Sequence, residues 1–214
     1  MPARGTSHPL FSRFYARVSP VMDAGGIAAR RRQLLEGLTG TVIEVGAGNG
    51  LNFAHYPAGV TRVLAVEPDP FLRRIAHDNA ASAPVPVEVT DGAAEELPVG
   101  DGTFDTAVAT FVLCSVASQQ TVLHEIHRVL RPGGQLRFLE HVRADSAGWR
   151  RAQRLLDMTL WPAMCGGDHT GRDTAAAVLS TGFTIERLDR FRFPDARLTL
   201  PTSPHVSAIA SRTP

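Results

Sequence analysis

The stretch that most constrains the fold is VIEVGAGNG, residues 42–50, where an apolar run of strand character breaks into three glycines with an acid, Glu44, set inside the run. Such a run marks a strand ending in a sharp turn, and glycines there let a ligand approach main chain with no side chain intervening. The spacing discriminates between turns of this kind. Gly46, Gly48 and Gly50 make G-x-G-x-G, whereas the dinucleotide fingerprint G-x-G-x-x-G would place its third glycine on Leu51, which weighs against a dehydrogenase. Glu44, buried in a strand, needs a nearby cation or donor to offset its desolvation.

From residue 41 onward strand-like runs alternate with helix-like segments, the pattern of a parallel sheet flanked by helices. The runs predict strands at Val42–Val45, Val63–Val66, Val85–Val89, Thr106–Thr110 and Gln135–Glu140. Helices are expected at Leu51–Tyr56, Pro70–Ala80 and Ser118–Leu130. In the last, Val122, Leu123, Ile126, Val129 and Leu130 recur at helical spacing, and Pro132-Gly133-Gly134 stops it. GFTIERL and HVSAIAS read as two final strands forming a terminal hairpin, preceded by the helix-like RDTAAAVLSTG. Ahead of the sheet, residues 1–40 predict two amphipathic helices broken around Pro20, a lid over the carboxyl edge belonging to the same domain as residues 41–214.

Composition narrows the partners. With 214 residues, 43% of them hydrophobic, the chain suits one well-buried domain. No apolar run approaches the roughly 20 residues that span a bilayer, and no signal-peptide core is evident, so a cytoplasmic protein without a membrane anchor is expected. All 22 cations are arginine and the formal charge is +1, which gives no reason to expect nucleic acid. Arg30-Arg31-Arg32 and Arg150-Arg151 with Arg154 read as solvated helix faces. The two cysteines, Cys114 and Cys165, read as free thiols.

Glu67 ends the second strand in LAVEPDP, DGAAEELP follows the third, TFVLCSV follows the fourth, and LHEIHRVLRPGGQLRFLEHV comes next. In that order, over residues 41 to about 142, the segments resemble class I S-adenosylmethionine-dependent methyltransferases. The resemblance implies a Rossmann-like α/β fold, a mostly parallel seven-stranded sheet with helices on both faces and an antiparallel terminal strand, and S-adenosylmethionine as cofactor. It also implies roles by position. Gly46, Ala47 and Gly48 flank the methionyl part, with Glu44, Asn52 and Tyr15 toward the same end; Glu67 and the neighbouring Pro68 meet the ribose; Ala93 and Ala94 meet the adenine edge through backbone. Thr110, Phe111 and Ser115 line the methyl-transfer side. Many relatives carry an aspartate where this chain has Ala93, and Asp91 is the nearest substitute.

FSRFYARV, LNFAHYP, FLEHVR with the later GGDHTGRDT, and PHVSAIA extend the similarity over about residues 8–210 to the methyltransferase-like family that includes mammalian alkyl-thiol methyltransferases. Those relatives carry an N-terminal anchoring helix that this sequence lacks, which implies a soluble version. Where they often read Gly-Cys-His, this chain reads Gly167-Asp168-His169, an acid beside a pocket histidine. The resemblance implies a small-molecule acceptor, a thiol first. Two alternatives stay open: an O-, N- or C-methyltransferase of quinone- or polyketide-type molecules, and a non-catalytic S-adenosylmethionine-binding module.

Histidine suits a base at neutral pH. The candidates are His141, at the carboxyl end of the fifth strand, with a structural hydrogen bond or substrate positioning as its other reading, and His169, in the segment expected to cover the pocket. His124 and His127, three apart on a helix, lack a third ligand, so no metal is expected. Cys114 reads as a small buried side chain. Trp149, Trp161 and Met164 are candidate walls of an apolar acceptor site, with a plain core role equally open, and the same choice holds for Tyr56. Oligomeric state is left between monomer and homodimer.

Overall fold

A computed structural model describes residues 9–159, 161, 166–195 and 200–213; Met164 and Cys165 lie outside them. Seven strands form one sheet: β1 Gly40–Val45, β2 Val60–Val66, β3 Val87–Thr90, β4 Phe104–Thr110, β5 Leu130–His141, β6 Phe183–Arg192 and β7 Pro204–Arg212. Their order is β3-β2-β1-β4-β5-β7-β6. β1 to β5 are parallel, and β7 runs antiparallel to both β5 and β6. The expected α/β fold, with its terminal antiparallel strand, is the fold observed.

The sheet is buried on both sides because alternate residues of its central strands feed two separate cores. Ile43, Val45, Leu64 and Leu136 pack with Val122, Leu123, Ile126 and Val129 of α4, Gln119–Val129. Val42, Val63, Ala65, Val108 and Leu139 pack on the other face with Leu34 and Leu35 of α2, Ala28–Leu35, and Ala76 of α3, Pro70–Ala80. Asp69 caps α3 by accepting from the amides of Phe71 and Leu72, and Ser118 caps α4 through Thr121 N. Among the described residues, α5 Ala147–Asp157 and α6 Thr174–Ser180 follow β5.

Three expectations are corrected. Residues 51–56 form only a 3-10 turn, Phe53–His55, with Phe53 and Tyr56 both buried; packing of those two rings, rather than helical hydrogen bonding, shapes the segment. The N-terminal helices do not break at Pro20. α1, Pro9–Met22, runs through it, and the chain turns across a π-type segment, Asp23–Ile27, where Gly26 adopts φ 126°. Proline keeps a helical φ, whereas that positive φ belongs to glycine. β3 starts at Val87, two residues later than the apolar run begins, since Val85 packs in the core ahead of the ladder.

The chain moves outward from β1 to β2 and β3, then returns to place β4 on the other side of β1. The carboxyl ends of β1 and β4 therefore flank the crevice at which ligands of open α/β sheets bind. Among the described residues no helix is long and apolar enough to cross a membrane.

Candidate active site

β1 delivers Glu44 and then the glycine turn into that crevice. Gly46 and Gly48 adopt φ 65° and 57°. A Cβ on Gly46 would stand 2.6 Å from Val112 Cγ2, and one on Gly48 would stand 3.2 Å from Tyr15 Cε1. The turn is thus bordered by the loop after β4 and by α1, and Ala47 between the glycines donates to Val66 O at the end of β2. Glu67, next along, closes the arrangement: its Oε2 accepts from Gly48 N at 2.7 Å and its Oε1 from Asp69 N at 2.9 Å. Burial pushes the Glu67 carboxyl up to about 7 against those two amide bonds.

A polar network sits beside the turn. Glu44, 2% exposed, accepts from Tyr56 OH at 2.6 Å and Asn52 Nδ2 at 3.0 Å, and burial still raises its pKa to about 7. Asn52 also donates to Thr110 Oγ1 and accepts from Arg31 Nη1. Arg31 is 4% exposed and pairs with Asp23 at 2.9 Å. This corrects the reading of residues 30–32 as a solvated face, and makes Arg31 the functional candidate that the sequence reading missed. Its signal was the aspartate eight residues earlier across a double glycine. The Tyr15 hydroxyl is pushed up by burial, with the Arg31 guanidinium acting against that shift.

α1 lies over this network. Ser12 Oγ donates to Asp69 Oδ2 at 2.6 Å, and Asn49 Nδ2 donates to Ser19 Oγ at 3.1 Å. On the adenine side expected from sequence, Ala94 is buried and Ala93 bridges to Glu96. Asp91 is committed elsewhere, to Arg73 at 2.8 Å, and Arg73 also donates to the carbonyls of Glu67 and Pro68.

A second cluster forms across β4 and β5. Phe111 stands between the two, with φ 59°, a conformation that a bulky residue holds only under strain from its surroundings. The Arg31 guanidinium carbon lies 5.8 Å from its ring centroid, and the His141 ring centroid lies 5.3 Å from it. His141 ends β5 half-buried, its Nδ1 3.4 Å from Asp168 Oδ1. Trp161 Nε1 donates to Asp168 Oδ2 at 3.2 Å, and the Cys114 sulfur lies within 4.8 Å of an oxygen of the same carboxylate. Burial pulls the Asp168 carboxyl up, but His141, Cys114 and Trp161 together outweigh it and hold the group below the ordinary range. Glu140, wholly buried, accepts from the amides of Val112, Leu113 and Cys114 at 3.0 to 3.1 Å. Burial lifts the Glu140 carboxyl to about 7.

His205, opposite His141 in the β5–β7 pairing, lies 4.4 Å from it between ring centroids, and burial lowers its pKa to about 3. His169 is tied by its main chain, its amide donating to Cys114 O at 2.9 Å. Ser115 turns its hydroxyl back to Val112 O. Of the proposed wall residues, Trp161 reaches the cluster through Asp168, whereas Trp149 is 37% exposed on α5 and is corrected to a surface residue. His127 packs edge-on to Phe183 at 5.4 Å, away from either cluster.

A methyltransferase domain model matches residues 43–138. Human thiol S-methyltransferase TMT1A is 34% identical over 180 residues, 78% of this chain and 73% of that one. The ubiquinone/menaquinone biosynthesis C-methyltransferase UbiE of Rubrivivax gelatinosus is 29% identical over 157 residues, 73% of this chain and 57% of that one. Among solved structures, a possible histamine N-methyltransferase of Thermotoga maritima superposes with TM-score 0.70 at 20% identity over 96% of this chain and 98% of that one, a likeness of fold.

Proposed function

Because the chain belongs to the class I S-adenosylmethionine-dependent methyltransferases, in the family that contains the thiol S-methyltransferases, we propose that it methylates the sulfur of a small-molecule thiol. The carrying observation is Phe111, which stands between a charged cradle around Arg31, Asn52 and Glu44 and a second cluster of His141, Asp168 and Cys114.

The cradle fits S-adenosylmethionine chemically. A Cβ would fill the space at Gly46, leaving main chain as the border. Two buried carboxylates, Glu44 and Glu67, suit a ligand that brings positive charge, and the Arg31 guanidinium suits its carboxylate. Each oxygen of Glu67 spends one lone pair on an amide and keeps another for a ribose hydroxyl. Tyr15 and α1 form the lid over the methionyl end, and Ala93 with Ala94 offers main chain to the adenine.

S-adenosylmethionine, when bound, would supply an electrophilic methyl for in-line transfer to a thiolate sulfur, its own sulfur keeping the bonding pair as a neutral thioether. The protein's part is to align the acceptor, exclude water and receive one proton. His141 takes the thiol's proton at Nε2, while Asp168 faces Nδ1 and fixes the ring's orientation. His169, on the loop bonded to Cys114 O, borders the acceptor. Phe111 and Trp161 supply apolar walls, which favour a reaction that annihilates opposite charges. A thiol with a pKa near 8.5 is already a few per cent ionised at neutral pH, so positioning contributes much of the rate.

The test is mass-resolved turnover with S-adenosylmethionine and a panel of alkyl thiols, dithiols, phenols and amines, following S-adenosylhomocysteine and methylated product together. Product confined to thiols is expected. Methylation at oxygen, nitrogen or carbon would overturn the acceptor assignment and leave the cofactor chemistry standing.

A further inference from the structure

The 3.4 Å separation of His141 Nδ1 from Asp168 Oδ1 is long for a charge-assisted hydrogen bond, which closes to about 2.7–2.9 Å. It matches the edge between two ligands of a tetrahedral zinc ion, whose bonds of about 2.0–2.1 Å set N and O atoms roughly 3.3–3.4 Å apart. A third donor is in place. The Cys114 sulfur, a His141 ring nitrogen and an Asp168 oxygen all lie within 4.8 Å of one another. With a Zn–S bond of about 2.3 Å the sulfur–nitrogen edge of such a site is roughly 3.6 Å, so closure asks for a shift of about an ångström.

The surroundings already hold these donors as ligands are held. Trp161 Nε1 occupies Asp168 Oδ2 and leaves Oδ1 toward the ring. Glu140 fixes the main chain of the Cys114 loop through three amides. Outer-sphere bonds of this kind orient first-sphere groups in metal sites. Charge points the same way: the Glu140 and Asp168 carboxylates act on the Arg172 guanidinium, and a divalent cation adds positive charge beside them.

We infer that Cys114, His141 and Asp168 bind one divalent cation of the zinc type, with a fourth position open to the pocket, and that this occupancy excludes the proton-accepting role of His141. The exclusion rests on the thiol-methylation reading; the binding does not. The cation replaces the Cys114 S–H proton, which leaves to solvent, and no electron is transferred. Nδ1 can offer its lone pair only when the ring's hydrogen resides on Nε2, and then no ring nitrogen remains to take a proton from an acceptor. The metal-loaded pocket is an off state, and a competing chelator or a chelating dithiol restores the on state.

The experiment is a Co²⁺ titration of the chelator-stripped full chain, without S-adenosylmethionine or acceptor. One equivalent is expected to bind with a thiolate-to-cobalt charge-transfer band in the near ultraviolet and the intense visible bands of a four-coordinate ion, which Zn²⁺ then erases. Cys114→Ala and Asp168→Ala each lose at least about tenfold in affinity, and Cys114→Ala loses the thiolate band, while Cys165→Ala binds as the unaltered protein does. Circular dichroism checks folding, and His141→Ala, altered at the end of β5 where the side chain is 17% exposed against 10% for Asp168, carries the test where a more deeply buried variant unfolds. Absence of the thiolate band, or binding unchanged by Cys114→Ala, overturns the site. Full thiol turnover by the Zn²⁺-loaded enzyme overturns the exclusion. Failure of the stripped enzyme to methylate any thiol sinks the functional reading instead, with the binding spectra unaffected.

Discussion

Arg31 donates a 3.0 Å hydrogen bond to Asn52 Oδ1 while its Nε pairs with Asp23 at 2.9 Å. One buried guanidinium thereby ties the π-type turn after α1 to the network that joins Glu44 and Thr110 across β1 and β4. The N-terminal segment and the proposed cofactor cradle are consequently one electrostatic unit.

Arg31→Met removes the cradle's cation and strands Asp23, whose side chain is only 12% exposed. Cofactor affinity is expected to fall about 10- to 100-fold, the worth of a hydrogen bond between charged groups, and the melting temperature to fall as well, because a buried charge loses its partner. Calorimetric titration and thermal unfolding read the two effects separately. Unchanged affinity with a lowered melting temperature would make Arg31 a structural tie alone.

Glu67→Ala removes both the proposed ribose acceptor and the carboxylate that receives the Gly48 and Asp69 amides. A loss of about 1.5–3 kcal/mol in cofactor binding is expected. Because burial holds this carboxyl at about 7, the acceptor form is depleted as pH falls. In the unaltered protein affinity should weaken from pH 8 to pH 6, and Glu67→Gln should flatten that dependence.

Much of this architecture was legible in the sequence, for a physical reason: β-branched runs and a glycine turn are local signals, and β1 to β5 follow them with the glycines at positive φ where the turn demands it. Glu44 could be read as a buried acid from its place in the run. What answers it could not, because Tyr56 and Asn52 face it only after residues 51–56 curl around two buried rings. Arg31 was hidden in a basic triplet whose outward and inward members differ only by helix rotation. Asp168 was visible as an acid beside a histidine of its own loop, but its partner is His141, 27 residues earlier, brought near by the return of the chain after β5.

The stability of the protein without ligand should carry the mark of Glu44. Its carboxyl titrates at about 7 in the fold against an ordinary 4.5. Between those values the native state holds a proton that the unfolded chain has lost, so this group makes stability fall as pH rises from about 4.5 to 7. Glu44→Gln keeps an acceptor for Tyr56 and cannot ionise. Relative to the unaltered protein it should gain stability across that window, by up to about 3 kcal/mol at its upper end. Denaturant unfolding of both proteins at pH 5, 6, 7 and 8 checks it; a difference that does not grow with pH would mean that Glu44 is ionised throughout.

His141 and His169 are separated by what each does to thiols of different acidity. If His141 takes the acceptor's proton, His141→Gln lowers turnover by about 10²- to 10⁴-fold with an alkyl thiol, leaving cofactor affinity within about twofold, since the polar partner of the ring is Asp168 rather than the network around Glu44 and Asn52. An aromatic thiol, largely ionised before it binds, has little need of a base, and the deficit should shrink steeply with it. His169→Gln, altering a residue held through its main chain to Cys114 O, should raise KM for the acceptor more than it lowers kcat, and by a similar factor for both thiols. A deficit in His141→Gln that stays constant across the thiol series assigns that ring to positioning. The proton would then leave by solvent, and the apolar wall around Phe111 would carry the catalysis.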